Sequence, residues 1–227
     1  MFGRIFLLLL AGTTLFGCAT AKKPLTGVVQ GREVETLQSA VAISALSGGQ
    51  STAGRGYLVY KAPALFHLAI LSPFGQTVLE AFSDNDRFTC VVPSQRTAYA
   101  GLLSELPEHS VLKSIELLKW VMAPPPLPVP APAAKQRLVR SGVSYYFDEI
   151  GMMERKVSQE GDEVAYEGYR TLEGVAFPGS IAIRNRYGAT VRIVFDEPQI
   201  NGTVEASDLT PDLSGMRVLP LAEFKAM

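Results

Sequence analysis

The chain of 227 residues carries 21 lysines and arginines against 22 acidic residues, a net charge of −1. It has no basic run, and capture of nucleic acid needs clustered Lys or Arg, so that partner class is excluded. Two cysteines and two histidines leave little material for a metal or redox centre.

The elements follow in chain order. Residues 1–17 open with one positive charge at Arg4, continue as an apolar run from Ile5 to Ala11 and close on Leu15-Phe16-Gly17 before Cys18. This is the layout of a secretory signal, too short to span a bilayer of roughly 20 apolar residues. The Leu-x-Gly-Cys ending resembles the lipobox of bacterial lipoproteins, which implies cleavage before Cys18, diacylation of its thiol and acylation of the new amine. The piece removed carries one arginine and no acid, so the remaining chain stays near neutral and is long enough for one sizeable core. With Cys18 lipidated, only Cys90 is left, and no internal disulfide can form.

Residues 18–38 lack a clear period and read as a lipidated start with a tether. The folded domain is expected over 39–210, with 211–227 as a C-terminal tail. Ala40–Leu46 and Gly56–Lys61 read as strands separated by a turn-rich linker, SGGQSTAGR. Leu65–Leu71, Thr77–Phe82, Arg87–Val92 and Thr97–Ala100 continue the pattern. On Arg87–Val92, Cys90 alternates with Phe88 and Val92, which predicts a buried structural thiol.

The period then changes to helical over about 110–122, where Val111, Ile115, Leu118 and Met122 repeat on one face. Prolines from Pro124 end the helix, and 124–132 reads as a stiff spacer. Short strands return at Arg137–Val139, Val143–Phe147, Met152–Gln159, Glu163–Tyr169, Gly179–Asn185 and Thr190–Phe195. About eleven strands interrupted by one helix, without strand–helix alternation, predict a mainly β fold.

No His-x-x-x-His, Cys-x-x-Cys, Gly-x-Ser-x-Gly or glycine-rich phosphate loop is present, so an enzyme is disfavoured, and neither metal nor cofactor is expected. His67 reads as a partly buried histidine with a local hydrogen bond, and His109 lies near the helix start. Asp148, Glu149, Asp162 and Glu163 fall mostly at predicted turns, where solvated surface is the default. One segment stands out for its surplus of apolar side chains. Phe66, Leu68 and Ile70 project to one side of their strand, and Leu65, Ala69 and Leu71 to the other. The second apolar face calls for either another layer or an interior that accepts a greasy ligand.

FHLAILSPFGQTVLEA, the helix LKSIELLKWVMAPPP, VAYEGYRTLEGVAFPGSIAIRN and ATVRIVFDEPQIN, in this order between Leu58 and Asn201, resemble the LolB family of lipoprotein-localisation proteins. The resemblance implies a half-open antiparallel β-barrel with a helical lid over an apolar cavity. It also implies an acceptor that binds the acyl chains of other lipoproteins and inserts them into the outer membrane. On that reading Pro73, Phe74 and Gly75 form a membrane-inserting loop. Pro73 presets the turn, Gly75 suits its last position and Phe74 is directed outward. Leu58, Tyr60, Phe66, Leu68, Ile70 and Phe88 on the strands, with Val111, Ile115, Leu118 and Met122 on the lid, are the expected cavity lining. The implied partners are acylated lipoproteins, a periplasmic LolA-like carrier and the outer membrane through the protein's own anchor, with the protein a monomer. Ala19 after the lipidated cysteine, rather than aspartate, implies sorting to the outer membrane, facing the periplasm. Two rivals share the fold: an envelope-assembly scaffold with its interior filled by its own side chains, and a sensor of mislocalised lipoproteins.

Overall fold

The computed structural model describes residues 23–106, 117–124 and 135–224. Cys18, Val111 and Ile115, with most of the proline spacer, lie outside the described residues. Inside them, fifteen strands are found where about eleven were expected, and all but two join one sheet.

The sheet is two antiparallel meanders joined through their longest strands. The first runs from β1 (Thr36–Ser47) and β2 (Gln50–Lys61) through β3 (Leu65–Leu71), β4 (Thr77–Asp84) and β5 (Arg87–Val92) to β6 (Thr97–Leu102). The second comprises β7 (Gln136–Arg140), β8 (Val143–Phe147), β9 (Met153–Val157), β10 (Glu163–Glu167), β13 (Ser180–Arg184) and β14 (Thr190–Ile200). β1 pairs antiparallel with β14, and the sheet stays open, with β15 (Arg217–Pro220) at one end and β7 at the other. The linker expected between the first two strands is itself strand. Gly48 and Gly49 both have positive φ, the mark of a two-residue turn that matches strand twist, so the ladder runs from Ser47↔Gln50 without a break.

Alternation puts Leu37, Val41 and Ile43 of β1, Leu58 and Tyr60 of β2, and Phe66 and Leu68 of β3 on the inner face. The sheet can curl at β2 because Gly56 has no side chain. A Cβ there would lie 2.0 Å from the Ala69 carbonyl oxygen. The helix described as α1 (Leu118–Met122) packs on the same face through Leu118 and Val121.

The surplus apolar face of the first meander is covered by another layer. Phe82, Val91 and Ala98 pack outside against Leu213 and Met216. His67 stacks on Phe82 at 4.0 Å, donates from Nδ1 to the Asp208 carbonyl and lies 3.2 Å from Glu80. The segment read as a tail is therefore a strap. It crosses the outer face, pairs as β15 in parallel with β6, then turns inward, burying Leu221 and setting Phe224 against Tyr99. Two carboxylates expected in solvent are also buried, Asp148 by its own turn and Asp162 by the turn that follows β13. Asp148 accepts from the backbone N–H groups of Ile150 and Met152, and Asp162 accepts from that of Arg186.

Candidate functional site

Two features stand apart from the packed sheet: an apolar residue held in water and a cavity on the inner face. The first is Phe74, 91% exposed at the tip of the β3–β4 hairpin. The Ser72 carbonyl accepts from Gly75 N–H at 2.9 Å, and Ser72 N–H donates to Gln76 at 2.8 Å. Proline follows the first turn residue and Gly75 has φ +79°, which is a type I turn closed by a left-handed residue. Ser72, Gly75 and Gln76 bond to one another, and the turn they close holds the Phe74 ring out in solvent.

The second feature is a cavity of about 470 Å³ beneath the second meander. Its floor is Phe147, Met153, Tyr166 and Ile181. Val121 and Met122 of α1 close one side. The opposite wall is a small hairpin, β11 (Arg170–Leu172) and β12 (Val175–Phe177), with the incoming segment 28–34 laid along it. Val29 N–H donates to the Gly174 carbonyl at 2.7 Å, and Thr171 Oγ1 donates to that of Thr26 at 2.7 Å. This hairpin leaves the main sheet between Gly168, with positive φ, and Gly179, whose N–H returns to Glu167 and Gly168.

The structure therefore places the hollow away from most of the residues expected to line it. Leu58, Tyr60, Phe66, Leu68 and Phe88 are at most 3% exposed and pack on each other, with Phe66 edge-on to Phe88 at 6.3 Å. Leu118 is sealed in the same cluster, and Ile70 sits half-buried at its border. Of that set, Met122 lines the cavity. Strand alternation identifies the inward face but not what lies against it. Leu103, Leu106, Leu118 and Leu221 join the strand residues in the packed core, and none of the four borders the cavity. The missed lining had a signal in the alternation of Val164 with Tyr166 and of Ile181 with Ile183.

A cation is buried in this region, besides the carboxylate of Asp148. Lys156 on β9 is 1% exposed; its Nζ donates to the carbonyls of Trp120 and Val121, the latter at 3.2 Å, and lies 4.7 Å from the Trp120 ring centre. These carbonyls are in the last turn of α1, where a cation meets the negative end of the helix. Tyr166 adds a second donor to Val121 at 2.9 Å. Desolvation pushes the Lys156 ammonium down to about 7 and the Tyr166 hydroxyl upward, and burial, followed by the nearby Asp148 charge, also raises that of Tyr169. Lys156 and Tyr166 together pin the lid helix to the floor of the cavity.

The hydrogen-bond ladder relates the two features. Leu71 faces Arg55, Arg55 faces Ala42, Ala42 faces Val194, Val194 faces Ser180 and Ser180 faces Glu167. The Phe74 hairpin and the cavity end of β10 thus lie at one level of the sheet. Among the described residues, no group of three or more His, Cys, Asp or Glu could hold a metal ion, and no helix is long and apolar enough to cross a membrane.

No curated protein matches the sequence. A solved domain from Vibrio parahaemolyticus, described as an outer membrane lipoprotein-sorting protein, is similar at 8% identity. It covers 77% of this chain and 88% of its own, with a TM-score of 0.52, a likeness of fold. A LolA superfamily protein from Nitrosomonas europaea aligns at 11% identity over 78% of this chain and 90% of its own, TM-score 0.48. A DUF1329 family protein from Desulfovibrio piger aligns at 12% identity over 78% and 92%, TM-score 0.49. The family described as outer membrane lipoprotein LolB matches residues 36–197, and since that is more than half of the sequence, the chain belongs to the LolB family.

Proposed function

We propose that this protein is a lipid-anchored acceptor that takes acyl chains of other lipoproteins into the cavity under α1 and passes them to the outer membrane. The observation that carries the reading is the unfilled, largely apolar space between α1, the floor residues Phe147, Met153, Tyr166 and Ile181, and the β11–β12 hairpin. Cys18 supplies the anchor, and a LolA-like carrier in the periplasm is the donor. Transfer needs no nucleotide: acyl chains move toward whichever apolar site holds them more tightly.

Magnitudes divide the labour between the cavity and the loop. Burying one phenylalanine contributes about 1.5–3 kcal/mol, whereas each acyl methylene contributes about 0.8 kcal/mol. Phe74 can dip the hairpin into the bilayer but cannot draw a chain out of its site, so the cavity holds the cargo and Phe74 brings its end of the sheet to the membrane.

The scaffold reading draws support from the first meander, whose interior is filled by its own side chains. The space under the second meander favours the acceptor. The test is Phe74→Glu with delivery of a fluorescent lipoprotein to liposomes. Phe74 packs on nothing, so stability should change by less than about 0.5 kcal/mol and cargo binding should persist, while delivery falls at least tenfold. Normal delivery by this variant removes the loop from the mechanism.

A further inference from the structure

The cavity adjoins a second space of about 610 Å³ that begins at Lys23 and Leu25, and the two share Asp148, Ile150, Met152, Tyr166 and Tyr169 in their walls. The segment that leads in from the anchor is itself a wall of both: Lys23 and Leu25 border the outer space, residues 28–34 the inner one. Its path is fixed by the bonds to Gly174 and Thr171 and by Asn201, whose side chain accepts from Glu35 N–H and donates to the Glu33 carbonyl. Lys23 lies five positions after Cys18, a reach of at most about 18 Å. An acyl group on Cys18 is therefore tethered within that reach of the opening.

We propose that the cavity binds the protein's own acyl anchor: with no bilayer at hand, a lipid chain on Cys18 enters through the Lys23–Leu25 space and occupies the site under α1. The inference rests on the acyl-binding reading above and on Cys18 carrying a lipid. A chain linked so closely meets the site at an effective concentration in the millimolar range, far above that of a dilute competitor. The site is thus closed to cargo while the protein is in water and opens when the anchor leaves for a membrane. Membrane arrival, rather than a nucleotide or a partner, switches the acceptor on.

Cys90 is fully buried, so a hydrocarbon maleimide added to the chain beginning at Cys18 modifies Cys18 alone. The probe is 11-(dansylamino)undecanoic acid, compared on the alkylated chain, the unmodified chain and a Cys18→Ser chain given the same treatment. The expected result is probe uptake by the last two, weakened at least tenfold in the alkylated chain at every protein dilution, and restored by phosphatidylethanolamine–phosphatidylglycerol vesicles. Equal uptake by alkylated and unmodified chains overturns self-occupancy and leaves the acceptor reading standing. Blockage that fades on dilution also overturns it, since occupancy is then between molecules. No uptake by any chain overturns both readings.

Discussion

Replacing Lys156 by methionine should abolish a pH dependence while preserving the fold. The ammonium is pushed from 10.5 down to about 7 in the folded protein. Between these values the unfolded chain binds the proton and the folded one does not, so stability rises with pH, by at most about 1.4 kcal/mol per unit. Below about 7 both states carry the proton and the contribution levels off; above 10.5 neither does. The whole window is an upper bound on the order of 5 kcal/mol, which water reaching Nζ would reduce. Methionine fits the same slot without a charge to desolvate. It leaves the Val121 carbonyl with its Tyr166 donor but strips Nζ from that of Trp120. One orphaned carbonyl costs about 1–3 kcal/mol. The variant should therefore be less stable than the native protein near pH 9.5, and the gap should shrink or reverse by pH 7. Urea unfolding of both proteins at half-unit steps from pH 6.5 to 9.5 measures the difference directly. Parallel curves would refute the picture of a desolvated lysine beneath the lid.

Gly56→Ala should cost at least about 2 kcal/mol, because its methyl group would meet the Ala69 carbonyl at 2.0 Å and the backbone must shift. A change in urea midpoint worth under 0.5 kcal/mol (roughly the scale of a surface substitution) would contradict this contact. Burial pushes the Cys90 thiol up to about 12, so a water-soluble thiol reagent at pH 8 should label it only as the domain unfolds. Labelling of the native protein within minutes would place that strand closer to solvent than described. These join the expected loss of delivery in Phe74→Glu.

How much of this was legible from residues alone depends on which forces write themselves locally. Alternation in Leu65–Leu71 and Arg87–Val92 is imposed by the pleat, so β3 and β5 were readable to the residue. The Phe74 turn was readable too, because proline fixes one φ of it and glycine permits the positive φ that closes it. Gly48-Gly49 misled, since the same dipeptide serves a loose linker and a tight hairpin, and only pairing across β1 and β2 decides. The three-residue strands β11 and β12 are too short to show a period. The cavity was legible least. Side chains such as Phe66 and Ile181 have the same apolar character, the same inward phase and the same burial, yet one packs edge-on against Phe88 and the other borders the cavity. That difference is set by where α1 and the C-terminal strap stop, which involves residues remote in sequence.

Trp120, the sole tryptophan, sits on α1 next to the lining residues Val121 and Met122, so its emission reports what enters the cavity. The decisive measurement is quenching of Trp120 by a diacylated lipopeptide with brominated chains, set against the same peptide without acyl groups. Saturable quenching by the acylated peptide only, lost when Met122→Glu places a charge at the half-buried lid side of the cavity, is the predicted result. Emission unchanged by the brominated chains at saturating peptide would contradict the claim that lipid is held under the lid.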